Sequence, residues 1–398
     1  ERKKNALLYL QKAVSMADES KDNRLIAESN CRLTDTKLDF EGTVGAEEIG
    51  SYQKALRNCE ATKDHLMIGD SLWGLAFCKR MGMWIEEDPD RVLEIHGNLE
   101  RIADEAINHY RRVGHMAGIA YTLAFYRVLP LLPPRLTMMP NIAEISGRWG
   151  IGAQNRQALL DNAQKEAEYG LKLAKEFGSP GLIHHARGAY VVALYVKAHY
   201  MDDEHAKTAL LQETTREAEE AIKLLLSISA DALAEPAAQN LAVSYSLLGD
   251  LESEMAQISM DTAEKRRLLK QADEHMGKSW EMVDKYLSSR GAPDKFWVQR
   301  LGVIVEGQSK IQKELYSLTK DSVLAASSLT TTARAAKYYA DGGAHSRAAE
   351  CYWRMGETHD SSRDYPKAAE AFEKAAQHYR TASVNIPHLK EFFDDYSR

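Results

Sequence analysis

Cysteine is scarce in this sequence and scattered where it occurs. Cys31, Cys59, Cys78 and Cys351 form no CxxC pair. That argues against a zinc site and a disulfide framework, and it fits a reducing, cytoplasmic setting. Long apolar runs are missing too: no stretch reaches the roughly 18 apolar residues of a membrane span. There is no Asn-x-Ser/Thr sequon. Neither sign of charge dominates, since 51 Lys and Arg face 58 Asp and Glu over 398 residues, a formal net charge of −7. Such a balance gives no general attraction to nucleic acid or to an acidic membrane. Alternating strand patterns bounded by hairpin turns are absent as well.

Proline is present ten times, and its placement is informative. Pro89 after Asp88, Pro180 after Ser179, Pro236, Pro293 and Pro366 stand where helices would begin. The first turn of a helix tolerates proline because its missing N–H has no partner there. Asp88 and Ser179 are suited to cap the free N–H groups. Pro130, Pro133, Pro134 and Pro140 crowd into one segment, and Pro387 lies in the tail. Between these marks, apolar residues recur at i, i+3 and i+4, which predicts helices. About fifteen are expected, over 2–19, 22–38, 46–62, 65–83, 89–112, 115–129, 153–177, 180–200, 204–228, 235–259, 261–289, 293–318, 320–340, 343–360 and 364–381. The connections are short, so neighbours should pack antiparallel.

Helix pairs prompt a search for a repeat. The clearest unit is AECYWRMGETHDSSRDYPKAAEAFEKAAQHY, residues 349–379. Gly356 is the small residue of its first helix, Tyr365 stands at the turn, and Ala368, Phe372 and Ala375 mark its second helix. A second stretch, NLAVSYSLLGDL at 240–251, has Leu241, Ala242, Tyr245, Gly249 and Asp250 in the first-helix pattern, and its second helix begins only near Ala272. Looser second-helix echoes are Ala106/Tyr110, Ala167/Leu171/Ala174 and Ala221/Leu225. Small residues let helix backbones approach, and an aromatic ring fills the space beside them. On these residues the chain resembles the tetratricopeptide repeat (TPR) family. First-helix starts near 22, 63, 114, 179, 235, 293 and 343 lie 41 to 65 residues apart, longer than the standard period of about 34. The resemblance implies an all-α fold, a TPR-like right-handed superhelix of antiparallel helices, in one repeat domain over 1–398. The sequence begins in the phase of a second helix and not with Met, so a fragment of a longer protein is expected.

Several motifs suggest chemistry, but their settings do not. Gly69-Asp70-Ser71-Leu72 matches a hydrolase signature, but such a serine needs a strand-to-helix turn, and these residues lie inside a predicted helix. Gly277-Lys278-Ser279 looks like the end of a phosphate loop, but Ala272 stands where the first glycine belongs. His184, His185, His199 and His205, with Asp202, Asp203 and Glu204, are the densest potential metal group. Only His199 and Asp203 have helical ligand spacing, and a polar helix end explains them as well. No metal, cofactor or catalytic residue is therefore expected.

Residues 129–152, LPLLPPRLTMMPNIAEISGRWGIG, are too proline-rich for a helix and too apolar for a solvated linker. This reads as an inserted loop that either covers a seam between repeats or contacts a partner, with Arg148 and Trp149 as anchors. First-helix side chains line the inner curve of a TPR stack. The resemblance thus places Gln239 and Asn240, and Trp353, Arg354 and Glu357, on a binding face for a protein or peptide. The chaperone-tail set is incomplete, because Glu350 stands where a lysine is needed. The expected function is a non-catalytic interaction or scaffold module. The alternative is a ligand-sensing domain of a larger signal-transducing ATPase or transcription regulator.

Overall fold

A computed structural model describes residues 2–41, 46–86, 88–124, 153–228, 235–288, 295–386 and 390. The segment 129–152, with Arg148 and Trp149, lies outside them. The described residues form fifteen α-helices and no strand. In chain order these are α1 (Arg2–Ser20), α2 (Asn23–Glu41), α3 (Ala46–Thr62), α4 (His65–Ile85), α5 (Pro89–Arg112), α6 (Met116–Thr122), α7 (Ala153–Phe177), α8 (Pro180–His199), α9 (Glu204–Ile228), α10 (Glu235–Ile258), α11 (Thr262–Ser288), α12 (Lys295–Thr319), α13 (Ser322–Gly342), α14 (His345–Ser361) and α15 (Tyr365–Asn385). They fall into two compact units. One comprises Glu1–Leu131 with Asp161–Tyr190, the other Leu132–Leu160 with Val191–Arg398.

Turn chemistry explains why the helices stop and restart within two or three residues. Lys21, Lys63, Lys320 and Arg363 each adopt positive φ, between 56° and 61°. Each is followed by an aspartate: Asp22, Asp64, Asp321 and Asp364. The left-handed residue ends one helix, and the aspartate opens the next. Asp64 accepts from the Met67 N–H at 3.2 Å, and Asp321 from the Val323 N–H at 2.9 Å. Gly114, Gly178 and Gly343 fill the left-handed position elsewhere. At α5, which opens on Pro89, Asp88 caps the N–H groups of Asp90 and Arg91, as the proline pattern predicted.

Helix pairing follows the predicted phase. Contact is more extensive within α4–α5, α10–α11, α12–α13 and α14–α15 than between α3 and α4, α11 and α12, or α13 and α14, and α2–α3 contact exceeds that between α3 and α4. Several of these hairpins close on a first-helix glycine and a large side chain of the second helix. A β-carbon on Gly356 would stand 2.5 Å from the Phe372 ring, and one on Gly69 would stand 2.6 Å from Tyr110. At Gly249 the partner is Met276, with the Ala272 carbonyl 3.2 Å away. Ala106, Ala167, Ala174, Ala221, Ala368 and Ala375 are all buried. The core of the first unit includes Tyr52, Leu72, Leu99 and Tyr110. That of the second includes Leu241, Leu251, Leu269, Met276 and Tyr339.

Candidate functional site

In the second unit, α10, α12 and α14 are successive first helices, and their charged side chains meet. Glu306 of α12 is at the centre. Its carboxylate accepts from Tyr339 Oη at 2.7 Å, Lys310 Nζ at 2.8 Å, Arg354 at 2.9 Å and Arg347 at 3.2 Å. The Arg347 guanidinium also lies 5.1 Å from the centre of the Tyr339 ring. Burial works against ionisation here, yet Arg347, Lys310 and Arg354 hold Glu306 well below the usual carboxylate range. A buried carboxylate with four donors fixes α12, α13 and α14 to one another.

A second carboxylate on the same side is similarly satisfied. Glu254 of α10 pairs with Lys207 Nζ at 2.6 Å and with His199 Nδ1 at 3.2 Å. Against the cost of burial, these two partners hold Glu254 down at about 2.

Three further charged groups lie on these first helices. Arg300 of α12, Asp250 of α10 and Glu350 of α14 are each half-buried, and burial disfavours the charged form of all three. None closes a hydrogen bond or contact ion pair with another described residue, and Arg300 Nε has neither partner nor solvent contact. Burial pushes Asp250 up to about 6, opposed by Arg300 and Lys310. Burial likewise pushes Glu350 up to about 7, opposed by Arg347 and Arg354 and reinforced by Glu306.

The residues selected from sequence fall on these same first helices. Gln239 and Asn240 lie on α10, both half-buried, and Asn240 accepts a 2.9 Å hydrogen bond at its carbonyl from Ser244. Trp353 and Glu357 lie on α14, joined by a 3.0 Å bond from indole Nε1 to the carboxylate. The Trp353 ring packs edge-on against Phe372 of α15, with centroids 5.1 Å apart. Arg354 points into the fold, towards Glu306 and Cys351 Sγ. Sequence reasoning missed Arg300, Asp250, Glu306 and Lys310 as a group. On any one helix each resembles an ordinary charged face. The signal was Gly302, whose β-carbon would stand 2.7 Å from Tyr339, the partner of Glu306. It pairs across 37 residues, where the clearest repeat pairs Gly356 and Phe372 across 16.

The motifs set aside from sequence have structural roles. Gly69 makes room for the Tyr110 ring, and Asp70 accepts from its hydroxyl at 2.9 Å. Ser71 is fully buried, and its Oγ donates to the Met67 carbonyl. Ser279 ties α11 to α10 through the Ala242 carbonyl at 2.7 Å, and Lys278 pairs with Glu274 on the surface. Asp203 caps α9 through the N–H groups of His205 and Ala206. His184 and His185 pack ring to ring, and burial pushes His185 down to about 3. Among the described residues no three His, Cys, Asp or Glu side chains are grouped to hold a metal ion, and no helix is long and apolar enough to cross a membrane.

No family model matches the sequence, and no curated protein does. Among solved structures, similarity is found to a circular tandem repeat protein with novel repeat topology, at 15% identity over 99% of this chain and 88% of that one, with a TM-score of 0.30. A Signal Transduction ATPase with Numerous Domains carrying a tetratricopeptide repeat sensor, from Pyrococcus horikoshii, aligns at 12% identity over 84% of this chain and 44% of its own, with a TM-score of 0.24. The Naa15/Naa10 complex bound to HypK-THB aligns at 12% identity over 100% of this chain and 70% of that one, with a TM-score of 0.12. At these values the likeness extends to no shared activity or partner.

Proposed function

We propose that this chain is a TPR-like, non-catalytic interaction module that binds a protein or peptide segment on its first-helix face. The observation that carries this reading is the Arg300 Nε–H on α12, buried and without an acceptor among the described residues, on the first helix between α10 and α14. Asp250 and Glu350 are half-buried on the neighbouring first helices, and burial raises both carboxyls. Buried polar groups in native proteins are paired, and those that are not point to a missing partner. Gln239, Asn240, Trp353 and Glu357 extend the surface along α10 and α14. Arg354 contributes by fixing Glu306, and Arg148 and Trp149 are retained as anchors on the 129–152 segment.

The face can be tested by photo-crosslinking. A benzophenone amino acid placed at Gln239, Asn240 or Trp353 should capture a partner. The same probe at Lys374, on second helix α15 and exposed, should not. Equal capture from both faces, or from Lys374 alone, rejects the reading. A second reading, a ligand-sensing domain, is favoured by the same unpartnered Arg300 Nε, which a small ligand could equally satisfy. It predicts capture of no macromolecule and a response to a small ligand.

A further inference from the structure

Two hairpins, one in each unit, join their open ends by the same contact. His65, the first residue of α4, meets His109 in the last turn of α5, with the two Nδ1 atoms 2.9 Å apart. His345, the first residue of α14, meets His378 of α15, with the two Nδ1 atoms 3.1 Å apart. The second-helix partners share a local pattern, Asn108-His109-Tyr110-Arg111 and Gln377-His378-Tyr379-Arg380, and both tyrosines are buried. All four histidines are half-buried. We propose that these pairs are acid-sensitive latches: each holds the start of a first helix, α4 or α14, against its second helix, and releases it when both imidazoles carry a proton.

A neutral imidazole has one N–H and one bare nitrogen. Two Nδ1 atoms at this distance share one proton, whether the pair is neutral or carries a single charge. When both nitrogens are protonated no acceptor remains, and two cations face each other. The helices oppose the second proton as well. His65 and His345 stand in first turns, where the unpaired N–H groups disfavour a cation. Among the described residues neither pair has a third His, Cys, Asp or Glu grouped with it, so the three protein ligands of a metal centre are not assembled. Around the first pair, Glu105 of α5 and Glu60 of α3 favour a charge on His109, and Arg112 opposes it. Asp64, just before His65, pairs with Arg24 of α2 at 3.6 Å, and His115, just before α6, packs on Tyr110. Around the second pair, Tyr352 of α14 stacks on His378 with centroids 5.6 Å apart. Lys374 of α15 lies 5.7 Å from the centre of that tyrosine ring, and Lys337 of α13 interacts with the same tyrosine. Burial lowers His109, His345 and His378 below the ordinary 6.5, helped by His65 at His109 and by His345 at His378. Histidines lowered in this way favour folding when neutral. Their contribution is complete above 6.5 and is lost as pH falls through the folded values.

The test uses the full chain, read by NMR at the histidine ring nitrogens and by amide hydrogen exchange, from about pH 8 to about pH 5. At the alkaline end each pair should show one Nδ1–H signal protected from solvent. As pH falls, loss of that signal should coincide with faster exchange in the first turns of α4 and α14. After correction for intrinsic rates, exchange there should rise about tenfold per pH unit for the one proton that opening admits. Asparagine places an amide near the Nδ1 position and takes up no proton. His109→Asn and His378→Asn should therefore keep the first turns protected at the acid end and flatten the slope, each in its own hairpin. His65→Asn and His345→Asn make the same change from the other side and serve if a first variant folds poorly. His205→Asn, exposed on α9, should leave both slopes as in the parent. A purely structural pair would change overall stability in these variants and leave the slope unaltered. The proposal is overturned if both imidazoles of either pair are protonated while the helix start stays protected, or if the asparagine variants retain the parent's slope.

Discussion

The ring of Tyr339 lies where a side chain on residue 302 would stand: a β-carbon on Gly302 would meet Tyr339 Cδ1 at 2.7 Å. The ring cannot retreat without breaking its 2.7 Å hydrogen bond to Glu306. Gly302→Ala should therefore destabilise the protein by roughly 1–2 kcal/mol, overpacking outweighing the helix propensity gained. Gly97→Ala is the contrast. Gly97 is exposed in mid-α5 with nothing within 4 Å of its added carbon, so it should gain roughly 1 kcal/mol from propensity alone. Urea melts of the two variants should move in opposite directions, and movement in the same direction would refute the close approach.

The basic residues at the turns carry backbone strain. Lys63 and Lys320 have φ of 57° and 56°, a conformation that costs an L-residue about 1–2 kcal/mol. Glycine removes that cost but loosens the unfolded chain by about 0.5–1 kcal/mol. Lys63→Gly and Lys320→Gly should each stabilise by up to about 1 kcal/mol. Asp64→Ala should lose about 1 kcal/mol with its cap to Met67. If both glycine variants melt lower than the parent, the lysines are held by contacts beyond the turn.

The helices were legible because their punctuation is local. Asp88-Pro89, Ser179-Pro180 and the Lys-Asp turns act within two or three residues, and α5 begins at Pro89 and α8 at Pro180. The last hairpin was legible down to its Gly356–Phe372 contact, since its spacing is that of a standard repeat. The earlier hairpins were legible as helices but not as contacts. Long helices put Gly69 and Tyr110, or Gly302 and Tyr339, far apart in sequence while keeping them adjacent in space. The polar site was hidden for another reason. Whether a surface-patterned arginine is recessed depends on what neighbouring first helices place around it, and one helix's sequence does not contain that. Arg354 shows the point: placed on the binding face from sequence, it also joins the Glu306 cluster.

That cluster makes Glu306 a hub whose loss should be severe. Glu306→Gln would leave Arg347 and Arg354 without their carboxylate, and breaking such a buried pair costs about 3–5 kcal/mol. The folded-state pKa of Glu306 is depressed below its ordinary 4.5. Its contribution is thus fully present above pH 4.5 and is lost as acid protonates the folded carboxylate. Denaturant melts of parent and Glu306→Gln should differ widely at pH 7 and converge as pH falls below 4.5. A constant difference across that range would mean that the charge is not what holds the three helices.

Glu350 should behave in the opposite sense. Burial, with Glu306 close by, raises its carboxyl from an ordinary 4.5 to about 7, despite the opposing pull of Arg347, Arg354 and Lys310. A carboxyl with a raised folded pKa favours folding when protonated. Its contribution is complete below pH 4.5 and is lost as pH rises through about 7. Glutamine resembles the neutral acid and cannot ionise. Glu350→Gln should therefore match the parent near pH 4.5 and exceed it at alkaline pH, by roughly 1–3 kcal/mol after allowing for the group's partial exposure. Asp250→Asn should show the same divergence about one unit earlier, because Asp250 is raised only to about 6. The order of the two midpoints is the sharper check, since general surface-charge effects would move both variants together. If Glu350→Gln is instead less stable than the parent at alkaline pH, then the ionised carboxylate is bound by Arg347 or Arg354 in solution, and Glu350 belongs with the Glu306 cluster.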